Sequence, residues 1–480
     1  MLFNSLDFAV FLPLVFICYW YVFNKNIKQQ NTLLLVASYV FYGWWDWRFL
    51  SLILFSTVLD FMIGKGMERS TNEGKRKWLL TCSVLVNLGL LGFFKYYNFF
   101  AESFTEMFSF FGQSIHPRAI SIVLPVGISF YTFQTLSYSI DVYKRKLDPA
   151  KDFVGFATFV SFFPQLVAGP IERATHLLPQ FYKKRKFDYG LAADGTKQIL
   201  WGFFKKVVIA DNCAEYVNII FQNYQDYSAS TLVLGAVMFA FQIYGDFSGY
   251  SDIAIGISRL FGFDLMKNFA FPYFSRDMAE FWRRWHISLS TWFRDYLYIP
   301  LGGSRGGLGM KIRNTFIIFL VSGFWHGANW TFIIWGALNA LYFLPLMLSG
   351  NNRNNLDQVA QGRMFPTFRE AGQVLLTFGL TCLAWVFFRA ESVTMAVDYI
   401  AQMFSPTLLV KPEVFPVRIL ALVVLFVAIE WTGREGDFAI QSIGVRWRRP
   451  LRYGVYYSVF MLIYFAGNFS DEIEFIYFQF

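Results

Sequence analysis

The chain contains four histidines, and one of them, His326, lies in the apolar run "SGFWHGANW" between Ser322 and Trp330. An imidazole titrates near neutrality, so at such a place it packs, binds a metal or takes a proton from a hydroxyl. No second histidine or carboxylate stands at ligand spacing, which argues against a metal. An ionisable group in lipid-spanning sequence is costly and by default marks a functional position, which favours a general base over packing. Gly323 and Gly327 interrupt the helix on either side. The amide of Asn329 follows three residues after His326.

A second stretch, "YFSRDMAEFWRRWHISLSTWFRDYLYIPLGGSRGG", runs from Tyr273 to Gly307. An interfacial amphipathic helix with snorkelling arginines explains much of it. That leaves unexplained His286, three residues after Arg283, and the glycine-rich loop that carries Arg305. Such a loop offers backbone N–H groups and Arg305 to phosphates, and Arg283 and Arg284, with Trp285 on the apolar side, add cations that an anionic ligand could use. No Walker or dinucleotide-binding pattern is present. In "YGDFSGYSDIAIGISRLFGF", Asp246 and Asp252 stand in an otherwise apolar helix, where a structural ion pair or cap is at least as good a reading as a functional one.

The elements that must position these residues are membrane helices. The chain has 480 residues, 55% hydrophobic and only 16% charged, with mean hydropathy +0.39. Soluble domains carry about 25% charged residues. The apolar residues fall in blocks approaching the roughly 20 needed to span a bilayer. Alternating basic loops give about 11–12 transmembrane helices in an all-α polytopic protein, with both termini extracytoplasmic. Residues 153–169, "FVGFATFVSFFPQLVAG", have basic loops on both sides and are broken by Pro164 and Gly169, so they read as re-entrant. Residues 259–313 read as an interfacial, cytoplasmic-face segment. Residues 315–347 are too long for one straight crossing and are read as two short crossings or one broken helix.

The net charge of +9 fits basic cytoplasmic loops, and no nucleic-acid motif accompanies it. The four cysteines are dispersed without a CxxC, so neither a disulfide framework nor a zinc site is suggested. There is no internal repeat of the kind transporters use. The first apolar run lacks a signal-peptide cleavage site and is kept as a helix. Residues 1–480 are expected to form one integral-membrane domain, with core motifs at 150–348 and peripheral helices at 370–480.

The strings "FFPQLVAGPIERA", "GDFSGYSDIAIGISRLFGF", "FWRRWHISLSTWFRDYLYIPLGGSR" and "GFWHGANWTFIIWGALNAL", in this order, resemble the membrane-bound O-acyltransferase (MBOAT) family, specifically its bacterial alginate O-acetyltransferase branch. The resemblance implies a bundle of helices around a central tunnel, with donor and acceptor entering from opposite mouths. It implies that His326 is the catalytic base and that His286 stands near the donor mouth. It further implies acetyl transfer from a cytosolic donor, acetyl-CoA, with no bound cofactor. A periplasmic SGNH-type partner would complete O-acetylation of an extracytoplasmic polysaccharide, from an enzyme in the bacterial inner membrane. The closing "FIYFQF" resembles tails in which a tyrosine, here Tyr477, relays the acyl group. Two other functions compete: a D-alanyl transferase of the DltB type, fed by an acyl-carrier protein, and a transporter of acyl or lipid units that makes no bonds.

Overall fold

The structure, a computed structural model, describes residues 1–110, 122–445, 447–469 and 475–476. It is helical throughout, with no strand among the described residues. Five helical stretches are long and apolar enough to cross a bilayer: Ile27–Glu68, Glu73–Ser109, Ala229–Leu260, Trp330–Leu348 and Phe368–Arg389. Leu6–Val22 and Phe153–Leu166 are apolar but shorter. The chain is a multi-pass membrane protein.

Its residues group into two compact units. Unit 1 comprises residues 1–192 and 257–266, and unit 2 comprises 193–256 and 267–480.

In unit 1 the "WDWR" corner ends the Ile27–Asp46 helix. The Asp46 carboxylate accepts from the Arg48 backbone N–H at 2.9 Å and pairs with the Arg48 guanidinium at 2.6 Å, and the chain restarts as Leu50–Glu68. The segment read as re-entrant is a broken helix. Phe153–Ser161 stops where Phe162 turns to ψ 107°, a single turn Phe163–Leu166 follows, and the chain then runs on without helix. Residues 155–172 are buried, so the interruption lies within protein, as non-helical backbone in a membrane protein requires.

Unit 2 contains the region read as two crossings or one broken helix, and it forms a helical hairpin. Gly307–His326 and Trp330–Leu348 are separated by three residues. The two helices touch through backbone: a Cβ on Gly323 would lie 2.2 Å from the Phe332 carbonyl oxygen, and one on Gly336 would lie 2.3 Å from that of Phe319. Small residues let helices approach this closely where lipid offers no hydrophobic driving force. The hairpin thereby fixes His326 at the end of its first arm.

Candidate active site

His326 is the last residue of the Gly307–His326 helix and is 3% exposed. Its ring is walled by Trp325, Trp335 and Phe388, with centroids at 4.9, 5.1 and 5.3 Å. The Phe368–Arg389 helix supplies Phe388 and Trp385, and Trp385 stacks on Trp335 at 5.6 Å.

His286 comes from a different element. Met278–Arg284 ends, and His286 turns the chain at φ 44° into Ile287–Phe293. The left-handed region is unusual for a residue other than glycine or asparagine, so surrounding contacts must hold it. Asn268 provides them. Its Oδ1 lies 3.0 Å from His286 Nδ1 and accepts from the Ser288 hydroxyl at 2.9 Å, its backbone oxygen accepts from the Ile287 N–H at 2.9 Å, and its Nδ2 donates to Ser251 at 3.1 Å. With an acceptor facing Nδ1, the proton of the neutral ring sits there and the lone pair is on Nε2. Burial pushes the His286 pKa down to about 3, so the ring is neutral at cellular pH.

The rings of His286 and His326 lie 6.4 Å apart, although 40 residues of sequence separate them. This exceeds the roughly 5 Å between centroids that a direct imidazole hydrogen bond would give. Phe247 closes on His286 at 4.6 Å and Trp325 lies 6.0 Å from it. Two imidazoles within aromatic walls form a low-dielectric site, where proton transfer is not diluted by bulk water.

The other expected site residues are placed less centrally. Trp285 is 1% exposed and packs on Phe281, Phe269 and Trp385 at 5.6, 5.0 and 5.0 Å. Arg284 pairs with the buried Glu280 at 2.7 Å, and Glu280 also pairs with Arg276 at 3.0 Å. Arg283 donates to the carbonyls of Asn352 and Asn355 at 3.0 and 2.7 Å. Arg305 is exposed on the turn before the hairpin. Asn329 caps the second arm: its Oδ1 accepts from the Thr331 N–H and its Nδ2 donates to the Glu391 carbonyl, both at 3.0 Å. An oxyanion role is left with the second Nδ2 hydrogen. Tyr477 lies outside the described residues. Just before it, Phe475 and Ile476 are buried, with Phe475 5.0 Å from Tyr250 and 6.1 Å from Phe247, and the Ile476 N–H donates to Asp246 at 2.7 Å.

Asp246 and Asp252 are ion-paired, the structural alternative weighed for them. Lys206 lies 2.7 Å from Asp246 and 2.8 Å from Asp211, and Lys205 lies 2.6 Å from Asp252. The two lysines in the apolar run "WGFFKKVVIA" were a signal for these partners. Asn268, which follows Lys267 directly, had none. Among the described residues no group of three His, Cys, Asp or Glu side chains is placed to hold a metal.

Helices of bilayer length define an integral-membrane protein, and the buried pair of imidazoles is its candidate catalytic centre. A family profile for MBOAT, the membrane-bound O-acyltransferase family, matches residues 150–358, which include both histidines. The chain is 42% identical to the "Probable alginate O-acetylase AlgI" of Pseudomonas aeruginosa over 409 residues, 84% of this chain and 75% of that one. It is 36% identical to the protein of the same description from Pseudomonas putida over the whole of both chains. To the "Peptidoglycan O-acetyltransferase" of Helicobacter pylori it is 32% identical, over 100% of this chain and 98% of that one. The chain belongs to the membrane-bound O-acyltransferase family and is an acyltransferase.

Proposed function

We propose that the protein moves acetyl groups from cytosolic acetyl-CoA across the bacterial inner membrane for O-acetylation of an extracytoplasmic polysaccharide, handing them to a periplasmic SGNH-type partner. The observation that carries this reading is the approach of His326, at the end of the first hairpin arm, to His286, with Trp325 against both rings. The similarity to an alginate O-acetylase and to a peptidoglycan O-acetyltransferase supports a hydroxyl of a sugar polymer as the final acceptor.

His326 takes the proton of the attacking hydroxyl. The hydroxyl oxygen forms a bond to the thioester carbonyl carbon, the carbon–sulfur bond breaks, and the proton passes to the leaving thiolate. His286, oriented by Asn268, is the proposed second basic group beside His326. The second Nδ2 hydrogen of Asn329 is the proposed oxyanion donor. Arg283, Arg284 and Arg305, with Trp285 behind them, form the proposed approach for the anionic donor. Aromatic walls limit hydrolysis of the thioester. Tyr477, the hydroxyl of the closing "FIYFQF", is the proposed relay that carries acetyl outward.

The test is acetyl transfer by the purified protein in proteoliposomes, supplied with labelled acetyl-CoA or with D-alanyl carrier protein, together with mass spectrometry of the C-terminal peptide. Transfer from acetyl-CoA that His326→Ala abolishes supports the reading. Transfer from the carrier protein alone replaces it with a D-alanyl transferase. Movement of acyl units with no acyl product makes the protein a transporter. Full activity of Tyr477→Phe removes the relay.

A further inference from the structure

Unit 1 holds a buried cation that the acyl-transfer chemistry does not use. Arg185, in the basic run "YKKRK", is 9% exposed. Its guanidinium donates to Asn31 Oδ1 at 2.7 Å and Gln30 Oε1 at 3.3 Å, and lies 4.9 Å above the Phe263 ring. Other buried cations of this protein, such as Lys206 and Arg276, sit against carboxylates at 2.7–3.0 Å. Arg185 has no carboxylate within 4 Å among the described residues, and its Nε has no hydrogen-bond partner there. Taking a guanidinium out of water without a counter-charge is costly, so an anion that reaches Arg185 gains a strong electrostatic partner.

The space for one is present. Arg185 lines an open groove of about 1030 Å³ together with Lys25, Lys28 and Lys184, and no lining residue of that groove is acidic. It also lines an adjoining cavity of about 350 Å³, walled by Phe16, Trp20 and Phe187 and by Lys186. Exposed lysines ring a buried arginine, and apolar rings stand beside them. This is the layout expected of a site for a group with an anionic head and an apolar body. Arginine at its base suits the paired oxygens of a phosphate.

We propose that this groove binds the phosphate ester of an anionic membrane lipid, with the phosphate between Arg185 and the lysine rim and the acyl chains along Phe16, Trp20 and Phe187. The site belongs to unit 1 and is independent of the transferase assignment.

The experiment uses the full-length protein in nanodiscs of phosphatidylcholine with or without phosphatidylglycerol, read by native mass spectrometry and thermal melting, with inorganic phosphate as a separate arm. Phosphatidylglycerol is expected to be retained and to raise the melting temperature above that in phosphatidylcholine alone. The rim variant Lys25→Ala/Lys28→Ala/Lys184→Ala/Lys186→Ala, which changes exposed side chains, is expected to weaken retention more than tenfold. Arg185→Gln should do the same. Lys144→Ala/Lys146→Ala, in another basic loop, should leave retention unchanged. Equal retention by the rim variant, or equal loss in the Lys144/Lys146 control, overturns the proposal. So does stabilisation by inorganic phosphate with none from phosphatidylglycerol. If Arg185→Gln does not fold, the rim variant decides.

Discussion

Two buried polar centres, one in each unit, are built on opposite plans. In unit 1, Asp60 on the Leu50–Glu68 helix is fully buried and surrounded by donors. Ser83 and Ser139 donate to its Oδ1 at 2.5 and 2.9 Å, and Asn87 donates to its Oδ2 at 2.8 Å. Asn87 is itself held by Ser56 and Thr135 at 2.9 and 3.2 Å. In unit 2, the walls around His326 and His286 are rings, and an amide oxygen orients His286 from one side. A saturated network locks helices together, because every member loses a partner if one is removed. An imidazole pair lined by rings keeps basic nitrogens in a dry space, which is the arrangement a reacting hydroxyl needs. Burial of a polar group is therefore no guide to its role until its surroundings are counted.

The comparison is most severely tested at His326. His326→Ala should lower acetyl transfer by about 10²–10⁴-fold, the usual weight of general acid–base catalysis. Melting should fall by the cost of a small cavity among Trp325, Trp335 and Phe388, so rates are normalised to folded protein. A variant that transfers acetyl normally would place the chemistry elsewhere.

The converse holds for Asp60. Asp60→Leu should cost about 3 kcal/mol or more of stability, because several buried donors lose their acceptor at once. Transfer per folded molecule should stay near the parent value. A shift in denaturation midpoint reads the first, and rates normalised to folded protein read the second. A stable but inactive Asp60→Leu protein would dissolve the contrast between the two centres.

Asn268→Ala sharpens the case for His286. Removing the partner that orients a metal-bound imidazole typically costs about ten- to a hundredfold, and a loss of that order is the scale expected here. The transfer rate should fall by that much and show a new pH dependence, as the imidazole is no longer fixed in one tautomer. A drop in melting temperature with an unchanged rate profile would make His286 a packing residue.

The smallest effect is expected at His176, a half-buried histidine outside both centres. Its Nδ1 lies 2.8 Å from Glu172 and its Nε2 lies 3.4 Å from Asp264. The hydrogen bonds to Asp264 and Glu172 raise its pKa to about 10. A raised folded-state value means the stabilisation is complete below the unfolded value of about 6.5 and is lost as pH rises through about 10. Melting between those limits should decline with pH in the parent and be flatter in His176→Ala. Identical pH slopes in the two proteins would show that the contacts carry no charge coupling.

The parts visible in the sequence were those with a strong local physical signature. Apolar blocks and basic loops marked a multi-pass helical protein. A proline and a glycine in an apolar run, "FFPQLVAG", marked the broken helix after Ser161, because neither continues a helix comfortably. Gly323 and Gly327 around His326 marked the hairpin, though not whether the chain turned back on itself. Asp60 passed unremarked because an isolated acid in an apolar segment reads the same whether it is saturated or reactive. Arg185 was hidden by its neighbours: in "YKKRK" nothing separates the buried cation from the three exposed ones.

By itself, the sequence determined the lipid environment, the helical class and the two imidazoles, since these follow from residue type and local period. Tertiary structure alone decided that His286 and His326 lie 6.4 Å apart, that Asn268 sets the tautomer of His286, and that Lys205 and Lys206 neutralise Asp252 and Asp246. These pairings join residues 18 to 47 positions apart. No local propensity encodes them; they exist because packed helices leave each buried polar group only the partners that geometry brings within reach.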